Sequence, residues 1–326
     1  MGERVGFTTS VPVEVLFAAG LVPCDLNNLF ITDAYPQRQV ERAETDGFPK
    51  NLCNWIKGIY GVVLSQGVNT VVCVMEGDCS NTRALAEILT YKGVRVVPFS
   101  YPYDRDRAGL EREIEKFRGA FGAGRGDIQE VEKVLERVRR NLAEIDRLTW
   151  EDGLVSGREN NAWLLSASDM EGDCRQYEAR SSEFLSEVGK REKQVGIRIG
   201  YVGVPPITTD LYDFLENLGC QVVYNEVQRQ FSLPYFSCGM IDRYLQYTYP
   251  YGIFPRIEDI KTEIARRRIE GIVHYVQAFC YRVVEDVILR EMLEVPVLTI
   301  EGDLPRALDG RTKLRLEAFV EMLKGR

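Results

Sequence analysis

The stretch Val71–Cys79 reads VVCVMEGDC, and Gly271–Cys280 in the second half of the chain reads GIVHYVQAFC. Each is followed by an amphipathic segment, SNTRALAEIL over Ser80–Leu89 and YRVVEDVILRE over Tyr281–Glu291. Both pairs predict an apolar β-strand, a cysteine at the strand's carboxyl end, and then a helix. Ligands bind at the carboxyl ends of strands in open α/β sheets. Two thiolates delivered there from two half-molecules suggest a shared metal centre lying between them.

The alternation of strands and helices predicts an α/β fold on both sides of a helical segment. Residues 1–108 read as an N-terminal α/β domain and residues 196–326 as a C-terminal one, whereas residues 109–195 read as a helical connector. We expect two Rossmann-like domains, each a parallel sheet with helices on both faces, with the metal centre in the cleft between them. The order of elements in residues 196–326 partly repeats that of residues 13–99, which indicates a diverged duplication.

Composition excludes several classes of protein. The chain has 326 residues, 45% of them hydrophobic, and a net charge of −8, which argues against a general nucleic-acid binder. It contains no apolar run of about 18 residues and no visible secretory signal, so we expect a cytoplasmic protein that does not bind a membrane. No Walker A sequence is present, so the chain shows no nucleotide site of its own.

Eight cysteines are many for a reducing compartment, and they indicate metal or redox chemistry. Because no CxxC occurs, any ligands must come from distant loops that the fold assembles. Cys79 and Cys280 at strand ends, and Cys53 at a helix start that favours thiolate, are predicted ligands. The remaining candidates, for which burial and ligation stay open alternatives, are Cys24, Cys174 and Cys238.

Two cysteines and the single histidine are predicted to be structural. Cys73 lies mid-strand between valines and Cys220 opens a strand, where cysteine acts as a small hydrophobic residue. His274 falls inside the strand before Cys280, so we expect a hydrogen-bonded sheet residue there and no histidine-based metal site. Glu301, in Glu301–Asp303 after the last strand, is either a site acid or part of a helix-capping turn.

The chain resembles the subunits of the 2-hydroxyacyl-CoA dehydratases and benzoyl-CoA reductases. The resemblance rests on VPVEVLFAAGLVP at 11–23, on the flanks of the three predicted ligands, on VLTIEGD at 297–303 and on RLEAFVE at 315–321. It implies that Cys53, Cys79 and Cys280 hold a [4Fe–4S] cluster. It also implies a partner: a separate ATPase with its own iron–sulfur cluster that injects low-potential electrons.

Two departures from the dehydratase pattern point to one branch of this superfamily. The chain begins at the first α/β domain without the N-terminal extension common in dehydratase subunits, which bears on acyl-CoA binding. The additional Cys24, Cys174 and Cys238 make it more similar to the double-cubane cluster proteins. That resemblance implies an [Fe8S9] cluster, two [4Fe–4S] units joined by a sulfide and held by six cysteines.

Three functional hypotheses follow. The first is a double-cubane reductase that acts on a small-molecule substrate, with Glu14, Tyr275 and Glu301, or the tyrosines near 247–251, as candidate proton donors. The second is a single-cluster subunit of a dehydratase or acyl-CoA reductase, and the third is a non-enzymatic iron–sulfur carrier. We also expect a homodimer, because a symmetric pair could present two clusters to a two-fold symmetric activator.

Overall fold

The computed structural model describes residues 2–236 and 238–326, and it contains two four-stranded parallel sheets. The strands of the first sheet are β1 (Arg4–Phe7), β2 (Val22–Asp25), β3 (Thr70–Glu76) and β4 (Arg95–Ser100). Those of the second sheet are β5 (Ile197–Gly203), β6 (Cys220–Asn225), β7 (Gly271–Gln277) and β8 (Val297–Gly302). The predicted α/β class with two Rossmann-like units is confirmed.

Both sheets have the same strand topology. The first runs β2-β1-β3-β4 and the second β6-β5-β7-β8, with every neighbouring pair parallel. The repetition predicted from the sequence is therefore confirmed at the level of strand order. Strand β1 was not predicted from the sequence, because Val5–Phe7 is too short to show a hydrophobic periodicity. It nevertheless forms an inner strand of the sheet.

Helices surround the two sheets. They are α1 (Val13–Ala18), α2 (Leu26–Ile31), α3 (Pro36–Thr45), α4 (Asn54–Ser65), α5 (Asn81–Tyr91), α6 (Arg107–Phe121), α7 (Arg125–Arg147), α8 (Gly157–Leu165), α9 (Cys174–Val188), α10 (Leu211–Asn217), α11 (Glu226–Phe231), α12 (Met240–Gln246), α13 (Ile253–Arg267), α14 (Asp286–Met292) and α15 (Gly310–Lys324). Aspartates cap several of them, as at Asp106 and Asp309, whose carboxylates accept backbone N–H groups of the first turn. Gly122 at φ 66° ends α6, and α7 begins three residues later at Arg125.

The chain folds into two compact units whose segments alternate along the sequence. The first unit comprises residues 1–140, 166–180 and 233–252, and the second comprises 141–165, 181–232 and 253–326. The predicted domain boundaries at residues 108 and 195 stay a prediction. They divide the chain into consecutive stretches, whereas the segments of the two units alternate along the chain. This alternation matters for function because residues 233–252, which carry Cys238 and several tyrosines, belong to the first unit.

Each unit has its own hydrophobic core. In the second unit Val202, Val223 and Ile272 of the sheet pack against Ile257 of α13 and Leu289 of α14. The inner strands read as nearly continuous apolar runs because helices cover both faces of a parallel sheet. Within the described ranges, the helices are all too short or too polar to cross a lipid bilayer.

Candidate metal centre

Five of the six predicted ligands lie outside the strands at the start of a helix or helical turn, and Cys24 lies in β2 shortly before α2. Each stands at most two residues before the first helical residue or on it: Cys24 before α2, Cys53 at the N-cap of α4, Cys79 before α5, Cys174 first in α9, Cys238 before α12, and Cys280 at the N-cap of a 3₁₀ turn. The unpaired N–H groups and the dipole of a helix start stabilise a thiolate. All six are thiols and not disulfides.

Cys53 and Cys79 lie at the carboxyl edge of the first sheet. Helix α4 leads into β3, so its N-terminal Cys53 is at the edge where β3 ends, and Cys79 follows β3 directly. A groove of about 380 Å³ between α4 and α5 is lined by Leu52, next to Cys53, and by Asn81, two residues after Cys79. The fold therefore brings these two cysteine-bearing segments together at one place.

The turn before Cys79 depends on glycine. Gly77 has φ 94°, in the left-handed region. A Cβ on Gly77 would lie 2.7 Å from the Cβ of Pro250 and 3.0 Å from the Cβ of Tyr101. Pro250 comes from the 233–252 segment, so this segment closes over the loop that carries Cys79. The backbone of the turn before Cys79 is thus packed against a segment that is remote in sequence.

Replacing Gly77 by alanine is expected to cost about 1–3 kcal/mol of stability and to lower the iron content. Both the left-handed backbone and the close approach of Pro250 oppose a Cβ there. The matched control is Gly93→Ala, because Gly93 also has a positive φ, 84°, but no atom near the new Cβ. Urea unfolding and iron analysis after anaerobic purification check both variants. Equal iron contents in the two would contradict the role given to the Pro250 contact.

Cys280 occupies the corresponding position in the second unit. Strand β7 ends at Gln277, and the Cys280 N–H donates a 3.0 Å hydrogen bond to the Gln277 carbonyl. Phe279 adopts φ 62°, an uncommon conformation for a residue with a Cβ. The Cys280 carbonyl accepts from the N–H three residues later, as the Cys79 carbonyl does. Both thiols are half-buried, so neither is enclosed in a core.

Cys24 and Cys174 are buried in the first unit. The Arg4 Nε donates to the Cys24 Sγ at 3.3 Å, and Arg4 opens β1 at the amino end of the sheet. Burial raises the pKa of the Cys24 thiol, although Arg4 acts in the opposite direction. Burial, and to a smaller extent the negative charge of Asp173, raises the pKa of the Cys174 thiol. Gly172, at φ 79°, packs against Val22 of β2, so the turn before Cys174 lies along the strand that carries Cys24.

Cys238 is half-buried beside α12. Its Sγ donates to the Tyr235 carbonyl at 3.5 Å and accepts from the Gln246 side-chain amide at 3.7 Å. The buried Arg243 of α12 donates to the Cys238 carbonyl at 3.3 Å. These contacts hold the thiol near the start of α12. Its assignment as a ligand stays a prediction.

Cys73 and Cys220 have the structural settings predicted for them. Cys73 is fully buried inside β3, and Cys220 begins β6. Burial raises the pKa of Cys73 to about 12 and that of Cys220 to about 11. In both positions the cysteine packs as a small hydrophobic residue. His274 lies in β7, as predicted, and is buried with its Nδ1 2.8 Å from Asp286.

Glu14 is part of a buried ionic network in the first unit. One of its oxygens accepts from Arg139 at 2.7 Å and the other from the Tyr244 hydroxyl at 2.9 Å. Burial opposes the charged form, but Arg139 and then Arg243 outweigh it, so the pKa of Glu14 lies below its ordinary value. A carboxylate held ionised suits charge pairing better than proton donation. These partners could not be predicted from the sequence, because Arg139 and Arg243 lie among many other charged helix residues.

Tyr275 and Glu301 are in neighbouring strands of the second sheet. Tyr275 is buried, donates to Gln277 at 3.1 Å and accepts from the Ile207 N–H at 3.2 Å. Its ring covers Gly302, where any Cβ would lie 2.1 Å from the tyrosine hydroxyl. Glu301 is exposed and belongs to β8, opposite Val276, because β8 continues beyond the predicted end at Ile300. Of the two alternatives for Glu301, the helix-capping turn is therefore wrong, while both proton-donor assignments stay predictions.

A pair of buried carboxyl groups adjoins Cys24. Asp25 caps α2, and its backbone N–H donates to the Asp169 carboxylate at 2.8 Å. Burial, followed by the nearby Asp25 charge, raises the pKa of Asp169 to about 7, and burial also raises the pKa of Asp25. The first unit thus holds two acids that resist ionisation together.

Because of this pair, we expect the free energy of unfolding to depend on pH. Since the folded pKa of Asp169 is raised from 3.8 to about 7, its stabilising contribution is complete below about pH 4 and is lost as pH rises through 7. Asp25→Asn keeps an equally good N-cap and removes the neighbouring charge. We expect urea unfolding to show this variant gaining stability relative to the natural chain between pH 5 and 8, by up to a few kcal/mol. A difference independent of pH would contradict the coupling.

The donor set fits an iron–sulfur centre by its chemistry. Soft thiolates are the ligands that such clusters use, and helix starts supply hydrogen-bond donors to them. In residues 2–236 and 238–326, no three cysteine, histidine or acidic side chains already stand close enough to hold a single metal ion. Five of the six predicted ligands belong to the first unit, and Cys280 belongs to the second.

Comparison with known proteins gives one informative result. The family model described as 2-hydroxyglutaryl-CoA dehydratase, D-component, matches residues 8–323. No curated protein sequence matches the chain significantly. The matched range includes all the predicted ligands, from Cys24 to Cys280.

Proposed function

The chain belongs to the family of the 2-hydroxyglutaryl-CoA dehydratase D-component, and from this premise we propose that it is a low-potential iron–sulfur reductase. The family comprises radical-type dehydratase enzymes, is known for binding iron–sulfur clusters, and works with an activator component. In our proposal the activator is an ATPase with its own cluster, and the substrate is a small molecule.

The placement of Cys53, Cys79 and Cys280 is the observation that carries the proposal. Cys79 and Cys280 follow the corresponding strands β3 and β7, and Cys53 caps the helix that leads into β3. We propose these three as the ligands of a [4Fe–4S] unit, which would supply one-electron chemistry at low potential. The carboxyl ends of parallel strands are the expected place for such a site.

The residues around these cysteines support the proposal through their own properties. Cys53 stands at the N-cap of α4, where the helix dipole lowers the cost of keeping a thiolate ionised. Pro250 and Tyr101 fix the loop of Cys79. Hydrogen bonds to bound thiolates and exclusion of water are the means by which a protein tunes the potential of such a centre.

We extend the proposal to a double-cubane [Fe8S9] cluster, with Cys24, Cys174 and Cys238 as the additional ligands. Its support is the helix-start setting of Cys174 and Cys238, and the place of Cys24 two residues before α2, whereas Cys73 and Cys220 precede no helix so closely. The second candidate is a single-cluster dehydratase or acyl-CoA reductase subunit. Its support is the contact of the Cys24 sulfur with Arg4, which begins β1 at the amino end of the first sheet. Cys53 and Cys79 lie at the opposite, carboxyl edge, so this contact argues against Cys24 as a ligand of the same centre.

Iron and sulfide analysis with EPR on anaerobically purified protein distinguishes the candidates. About eight irons per chain are expected for the double cubane and about four for a single cluster. Turnover of a small substrate should require the activator and ATP, because the thiolates and sulfides make each added electron costly in a low-dielectric site. Sustained turnover with dithionite alone would reject the role of the activator. A chain without iron would reject the proposed function altogether.

A further inference from the structure

An exposed apolar surface adjoins Cys280. Phe279 is 55% exposed, Val283 40%, Val284 72% and Val287 63%, all within nine residues of sequence. We call these four side chains the 279–287 patch. Isolated exposed hydrophobic residues are ordinary on protein surfaces, but four of them within one short segment indicate an interaction site. Its position beside a proposed cluster ligand makes this group functionally relevant.

The base beneath the patch is rigid. Glu285, at the end of the 3₁₀ turn, accepts a 2.7 Å hydrogen bond from the buried Arg256, which is itself bound to the buried Glu226 at 2.7 and 2.9 Å. Asp286, the first residue of α14, is bound to His274 of β7 at 2.8 Å. Leu289 of α14 is fully buried in the core of the second unit. The apolar side chains are therefore held outward by an anchored segment and do not result from a frayed helix.

We propose that the 279–287 patch is the docking surface for the redox partner that delivers electrons to the cluster. This inference rests on the proposed function, since it assigns the partner's approach to the side of Cys280. An electron donor must come close to the centre that it reduces. Side chains flanking a ligand in sequence and facing solvent are suitably placed for that approach.

The size of the patch favours a transient partner over a second copy of this chain. The patch offers on the order of 400 Å² of apolar surface, the scale of an interaction site on a monomer. A stable complex buries about 800 Å² on each partner, whereas transient redox encounters occupy the low end of the range. Charged residues such as Arg290 and Glu291 lie next to it in α14, as at the polar rim of an interface.

The test compares Val284→Gln/Val287→Gln with the control Leu314→Gln, which replaces an aliphatic residue of α15 that is 67% exposed. The activator component from the same organism is the probe. Binding is measured by sedimentation, and protection of the patch by backbone hydrogen exchange with and without the activator. Iron content, reduction by Ti(III) citrate and molar mass show whether each variant is otherwise intact.

We expect the double variant to keep its iron, its chemical reducibility and its mass, and to bind the activator about tenfold or more weakly. The control should bind like the natural chain, and exchange protection should fall on residues 279–287. Unchanged binding by the double variant would overturn the proposal. A dimer that becomes a monomer in the double variant would also overturn it, because a second copy would then cover the patch. Absence of iron from the natural chain would reject the proposed function, while activator binding would still decide the docking surface.

Discussion

Replacing Cys79 or Cys280 by serine should remove nearly all of the cluster iron from this protein. A serine hydroxyl stays protonated at neutral pH and is a hard donor, so it replaces a soft thiolate poorly. Both cysteines lie just after a strand end at the start of a helix or helical turn. Both are half-buried, so their sulfur atoms are accessible to iron. Iron and sulfide analysis and EPR of anaerobically purified variants measure the loss.

Cys73 provides the matched control for these substitutions. It lies only six residues before Cys79 but is fully buried inside β3, with its thiol pKa raised to about 12 by burial. Cys73→Ser should keep nearly all of the iron, although burying a hydroxyl costs about 1–3 kcal/mol of stability. A cluster lost from Cys73→Ser and retained in Cys280→Ser would show that strand-end placement does not select the ligands.

Replacing Arg267 by methionine should destabilise the second unit by about 3–5 kcal/mol. This arginine is completely buried and donates to both oxygens of Asp146 at 2.8 and 2.6 Å and to the Val223 carbonyl at 2.7 Å. Burial opposes ionisation of Asp146, but Arg267 outweighs it and keeps the Asp146 pKa below its ordinary value. Without the arginine, a buried carboxylate would lose its compensating charge. Urea or thermal unfolding measures the effect.

Two further variants identify the cause of that loss. Asp146→Asn/Arg267→Met should cost less than the sum of the single changes, because it removes the stranded charge as well. Arg158→Gln, which breaks the exposed pair with Asp213 at 2.8 Å, should change stability by no more than about 0.5 kcal/mol. A comparable loss from Arg158→Gln would show that burial does not set the size of the effect.

The class of fold and the local setting of the cysteines follow from short-range patterns in the sequence. Alternating apolar strands and amphipathic helices are short-range patterns, so the α/β class and most strand and helix positions could be predicted from them. The strand-end positions of Cys79 and Cys280 follow from the same patterns. Of the two alternatives left open for Glu301, the helix-capping turn was wrong because pairing with β7 extends β8 to Gly302, and sheet pairing is not visible in a local window.

Tertiary packing alone sets which distant segments meet. It placed residues 233–252 in the first unit, with Pro250 against Gly77, although the sequence attaches them to the C-terminal half. It also paired Glu14 with Arg139 and turned the Cys24 sulfur toward Arg4. Charged helix residues look alike in sequence. Their partners cannot be predicted, because packing brings together residues that are more than a hundred positions apart, as in the pair Glu14 and Arg139. The sequence therefore specified which groups could serve a metal centre, and the packing of remote segments determined where each of them stands.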